Sequence, residues 1–133
     1  NDFSLVTQWI GKMIHTYEIR PLWSCFDPWN SQYWVKEMED AGFTMEKVRQ
    51  GIYSLSEPMK QLEADLKNKF VIYNNNPILK WCLSNTQAKV DINGNIQPSK
   101  LNSKLRRIDG TVALIIAYAV LNRYKTDYEN MIS

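Results

Sequence analysis

The longest apolar run in the chain, Val112 to Leu121, places ten apolar or aromatic residues in succession. A bilayer span needs about 20 such residues, so this run is too short to cross one. It is long for a strand, rich in alanine, and followed by Asn122, Arg123 and Lys125, which suit a helix C-terminus. The stretch from Arg106 to Lys125 predicts a helix whose first turn carries Asp109, apolar on nearly every face and therefore buried on nearly every side. The rest of the core is expected to wrap around it.

Upstream, Phe3, Val6, Trp9, Ile10, Met13, Ile14 and Tyr17 recur at helical spacing and predict an amphipathic first helix. Pro21 breaks it, and Leu22 to Phe26 reads as a short buried strand ending at Asp27-Pro28. Asn30 or Ser31 is placed to cap a second helix through Val35 and Met38, stopped by Gly42. Thr44 to Gln50 predicts another strand. Ser56 is expected to cap a third helix, with Pro58 in its first turn and Met59, Leu62 and Leu66 on its apolar side. Lys60, Lys67 and Lys69 form its solvated face.

Phe70 to Tyr73 is a further strand candidate, and Asn76-Pro77 opens a short helix with Ile78, Leu79, Trp81 and Cys82. Asn93-Gly94 between two extended stretches signals a hairpin. Asp91, Asn93 and Asn95 imitate a calcium loop, but the glycine is misplaced and the closing glutamate missing, which rules that reading out. Pro98 to Arg107 reads as a loop. Strands interspersed with helices make the fold class α/β.

Composition adds bounds. The 133 residues are of ordinary globular make-up, 23% charged and 44% hydrophobic, and read as a single domain over 1–133. A net charge of +2 is too small to argue nucleic-acid binding by itself. Cys25 and Cys82 are far apart, lack zinc-ligand spacing and lie in apolar segments, so they read as buried thiols in a reducing compartment. No signal peptide, membrane span or lipidation motif is recognisable. A start at Asn1 without methionine, directly before a helix, points to a piece of a longer protein.

Candidate chemistry narrows by elimination. Neither GxxxxGK[ST] nor GxGxxG occurs, nor HExxH, nor GxSxG. His15 is the one histidine, has no partner nearby in sequence, and reads as a surface residue. Two carboxylates remain. Asp27 falls at a strand's C-terminal tip, the edge where ligands collect in open α/β sheets, or it simply opens an Asp-Pro turn. Asp109 falls at the start of the apolar helix, as a site residue or as an N-cap. Oxygen-rich acid sites suit Mg²⁺ or Mn²⁺, and a metal pair can drive phosphodiester cleavage. Lys100, Lys104, Arg106 and Arg107 precede Asp109, either as a phosphate-binding rim or as a solvated connection. The competing reading is a non-catalytic DNA- or protein-binding module of an assembly, using the basic loop and some of the aromatic residues. A doubly-wound small-molecule enzyme lacks its glycine fingerprint.

FDPWN at 26–30, VRQG at 48–51, LSEPMKQLE at 55–63, NPILKW at 76–81, and NGNIQPSK leading to RRIDGTVAL together resemble the C-terminal nuclease domain of tailed-phage large terminase subunits, in order and spacing over about 110 residues. The resemblance implies an RNase H-like fold, a mixed sheet flanked by helices, and an Mg²⁺- or Mn²⁺-dependent endonuclease that cuts concatemeric phage DNA in the host bacterial cytoplasm. Its expected partners are double-stranded DNA and, in the full protein, an ATPase domain, the small terminase subunit and the portal. It places two of three metal-binding acids at Asp27 and Asp109, and matches Lys100 and Arg107 to basic positions near them. The family's first acid lies upstream of the position matching Phe3. The resemblance therefore implies an N-terminally truncated domain with an incomplete metal site and impaired cleavage.

Overall fold

The computed structural model describes residues 3–29, 31–101 and 105–133. The chain divides into two compact units, residues 1–49 and 50–133. Each is built around one two-stranded sheet.

The first unit runs helix α1 (Phe3–Tyr17), strand β1 (Ser24–Phe26), helix α2 (Gln32–Asp40) and strand β2 (Met45–Lys47). β1 and β2 pair in parallel, Cys25 opposite Glu46, with α2 as the connection between them. The ladder is extended at both ends, Ser24 N–H donating to the Thr44 carbonyl (2.8 Å) and Val48 N–H to the Phe26 carbonyl (2.9 Å). Helix α2 ends as its glycine foretells. Gly42 takes φ +97°, Phe43 N–H donates to the Met38 carbonyl and Gly42 N–H to the Glu39 carbonyl, closing a Schellman turn. Ser31 precedes the helix, but its hydroxyl donates to the Asp27 carbonyl instead of capping (2.7 Å); Asn30 lies outside the described residues. Met38 and Val48 are buried. The α1 stripe is only partly covered: Ile10, Met13 and Ile14 are half-buried, whereas Val6, Trp9 and Tyr17 are exposed. Cys25 is half-buried, and neither cysteine forms a disulfide.

The second unit runs α3 (Ile52–Lys67), α4 (Pro77–Ser84), β3 (Thr86–Val90), β4 (Ile96–Lys100) and α5 (Asp109–Ile132). β3 and β4 form the antiparallel hairpin, and α5 packs on α3 and α4 while α3 also covers β4. The mixture of parallel and antiparallel pairing expected of the fold is thus present, divided between the two small sheets. In the hairpin turn Asp91 Oδ1 accepts from the amides of Asn93 and Asn95, both at 2.9 Å, and Gly94 takes φ +79°. Desolvation pushes the Asp91 carboxyl up, but the hydrogen bonds from Asn95 and Asn93 and the charge of Lys60 outweigh it, and the net shift is downward.

Four boundaries differ from the sequence reading. Helix α3 begins at Ile52, so Ser56 is an interior residue and Pro58 lies beyond the first turn. Buried Ser56 is spent on a distant partner: its Oγ accepts from the Ile96 amide at 3.0 Å. Phe70 to Tyr73 is not a strand. Lys69 (φ +58°) ends α3, with Phe70 N–H donating to the Asp65 carbonyl, and Asn74 and Asn75 (both φ +53°) bend the chain again. A segment between such bends has no room to extend along a partner. Pro98 to Lys100 belong to β4, not to a loop, because the hairpin continues its ladder to the Thr86–Lys100 pair. Helix α5 starts at Asp109, as expected, but runs past 125 and is buried along one side only, at Thr111, Ile115, Ile116, Ala119 and Val120. Ala113, Ala117 and Leu121 are exposed; alanine supplies helix propensity without requiring burial. The backbone leaves the helical region at Tyr124 (φ −119°, ψ 16°). No helix among the described residues is long and apolar enough to cross a membrane.

Candidate functional site

Asp27 follows the last residue of β1, where the sequence reading places it. Because β1 and β2 run parallel, their C-terminal ends share one edge, and the Val48–Phe26 hydrogen bond closes that edge beside Asp27. Asp27 also makes the turn: its Oδ1 accepts from the Trp29 amide at 3.1 Å. The turn and the strand-edge readings are therefore compatible. The carboxylate is half-buried, and Trp29 and Tyr33 stand exposed nearby in sequence, at 81% and 92%.

Asp109 is the first helical residue of α5, with buried Ile108 as the N-cap position. An acid in a helix's first turn is favoured by the dipole. The side chain is exposed and lines an open cleft of about 390 Å³ with Gln50, Lys100, Ile108, Val112, Ala113 and Ile116. The cleft thus brings together Lys100, the last residue of β4, and Asp109. A cation beside a carboxylate offsets part of the repulsion that an approaching phosphate would meet.

The start of α5 is seated closely on α4. A Cβ added at Gly110 would lie 3.3 Å from both Cys82 Sγ and Leu79 Cδ1. Thr86 Oγ1 donates to the Cys82 carbonyl at 2.7 Å and lies 3.0 Å from Thr111 Oγ1, joining α4, β3 and α5. Arg106 and Arg107 are exposed on the approach to α5. Lys104 lies outside the described residues. His15 is exposed in the last turn of α1.

Asn85 plays a part that the sequence reading missed. It is 1% exposed at the end of α4, and its Nδ2 donates to the Arg107 carbonyl at 3.0 Å. An asparagine after a helix reads locally as an end cap, so nothing nearby in sequence marks this contact. Among the described residues no three His, Cys, Asp or Glu side chains gather as a metal-ligand group. Asp27 and Asp109 stand in different units and each is an oxygen donor of the kind hard divalent cations take.

The family model described as terminase large subunit, endonuclease domain, matches residues 2–123. Protein YmfN of Escherichia coli (strain K12) is 33% identical over 97 residues, which cover 71% of this chain and 21% of that protein. The crystal structure of the HK97 bacteriophage large terminase aligns with a TM-score of 0.77 and 25% identity, over 90% of this chain and 25% of that one. The α/β arrangement is that of the RNase H-like terminase nuclease fold. The chain spans about a fifth of YmfN and a quarter of the HK97 protein.

Proposed function

The chain belongs to the terminase large subunit endonuclease-domain family, and from that premise we propose that it serves an Mg²⁺- or Mn²⁺-dependent endonuclease which cuts concatemeric viral DNA during packaging. What carries the reading is the family match over residues 2–123, with Asp27 at a parallel-strand edge and Asp109 lining a cleft together with Lys100. Asp27 and Asp109 are the residues that would hold the ions. When bound, such ions supply Lewis-acid activation of water and of the leaving oxygen.

The chain's own residues bind and orient. Lys100 faces the cleft and draws a phosphate toward Asp109. Exposed Arg106 and Arg107 bind the DNA backbone ahead of the helix, and Lys104 shares that role. Such contacts hold the duplex without reading its sequence. The partners proposed for the whole protein are an ATPase domain, the small terminase subunit and the portal, in the host cytoplasm.

The test is Asp109→Ala in the whole large subunit, assayed for Mn²⁺-dependent nicking of plasmid DNA, with Asp27→Ala in parallel. Each is expected to reduce the rate by about a hundredfold to a thousandfold, the scale on which loss of an essential electrostatic group acts. Nicking at the parent rate by the Asp109 variant would overturn the assignment.

A further inference from the structure

We infer that Asn85 is a positioning residue for DNA: it clamps both ends of the basic loop, so that Arg106 and Arg107 are presented to phosphates at a fixed place beside Asp109. The inference rests on the nuclease reading above.

Burying an amide side chain is unfavourable unless its polar atoms find partners. Asn85 is 1% exposed, and among the described residues its side chain bonds to Arg106 and Arg107 of one loop. Nδ2 donates to the Arg107 carbonyl at 3.0 Å, and Oδ1 accepts from Arg106 Nη1 at 3.4 Å. The Asn85 backbone carbonyl accepts from the Leu101 amide at 3.0 Å. One residue therefore holds the chain where it leaves β4 and again where it enters α5. The helix end does not require this side chain, because the Asn85 amide itself already donates to the carbonyls of Trp81 and Cys82.

The consequence lies two residues further on. Fixing the Arg107 carbonyl fixes the peptide that leads through buried Ile108 into Asp109. The main chain that carries Arg107 and Asp109 is then held, and the Arg106 guanidinium with it, before DNA arrives. A cation held in place loses less conformational freedom on meeting a phosphate than one on a wandering loop.

The measurement is the affinity of the purified protein for a fluorescent random-sequence DNA duplex across a potassium chloride series. The log–log slope counts phosphates contacted, about 0.9 per contact. Asn85→Ala is expected to lower that slope by one to two contacts, about 0.9 to 1.8, and to weaken binding about tenfold. The Arg106→Ala/Arg107→Ala double variant should do the same, and adding Asn85→Ala to it should change nothing further. Asn85→Ser, whose hydroxyl is too short to span the same contacts, is the milder second variant and should shift the slope in the same direction. A lowered melting temperature with an unchanged slope in both would overturn the inference, leaving Asn85 a residue of the fold alone. Failure of both variants to fold counts against it in the same way. If the parent protein itself binds the duplex without salt dependence, the nuclease reading falls and takes this inference with it.

Discussion

The hydroxyl of Tyr118 donates to Asp65 Oδ2 at 2.8 Å, tying α5 to α3 across 53 positions of sequence. Desolvation, then the hydrogen bond to Asp65 and its charge, push the phenol up from 10.0 to about 12. A folded-state value raised above the unfolded one contributes stability that is complete below the unfolded value and is lost as pH rises through the folded one. The protein should therefore lose stability between about pH 10 and pH 12. Tyr118→Phe should flatten the part of that slope due to this group. Urea unfolding midpoints of both proteins across that range check it.

Ser56 and Ile96 make the second test. The serine hydroxyl accepts the Ile96 amide inside the core, between α3 and the first residue of β4. Ser56→Ala leaves that amide buried without its partner, a loss of about 1–3 kcal/mol, offset by about half a kcal/mol of gained helix propensity. The expected net destabilisation is about 0.5–2.5 kcal/mol. Hydrogen exchange at the Ile96 amide should quicken beyond what the global change explains.

Gly110 supplies the third. Its missing Cβ lets α5 approach Cys82 and Leu79, and the atoms a methyl would meet at 3.3 Å are side-chain ends able to shift slightly. Gly110→Ala should cost less than about 1 kcal/mol, since helix propensity opposes the crowding. Gly110→Val, larger and β-branched, should cost about 2–3 kcal/mol. Thermal denaturation of the pair separates crowding from propensity.

What could be read from the sequence, and what could not, follows the reach of the interactions. Asn76 caps α4 by accepting from the amides of Ile78 and Leu79, within three residues, and Asn93-Gly94 turns a hairpin between adjacent strands. Such signals are complete in a few positions. The positions of Asp27 and Asp109 are legible for the same reason, each at the junction of a regular element with a turn or cap. Ser56 and Asn85 were not, because the partners that explain them lie 40 and 22 residues away. Nearby residues make Ser56 look like a cap and Asn85 like a helix end. Phe70 to Tyr73 failed in the opposite sense. Its composition favours a strand, but a strand exists only with a neighbour to pair with, and left-handed residues at 69, 74 and 75 turn the chain away.

The departure from helical geometry at Tyr124 bears on how α5 carries mechanical load. Upstream of it, one side of the rod is pinned by Thr111, Ile115, Ile116, Ala119 and Val120, so bending there would have to strip close-packed atoms apart. Downstream, residues 125 to 132 are exposed and carry no packed side of that kind. Bending of that tail is therefore expected first at the elbow, leaving the packed segment that begins at Asp109 in place.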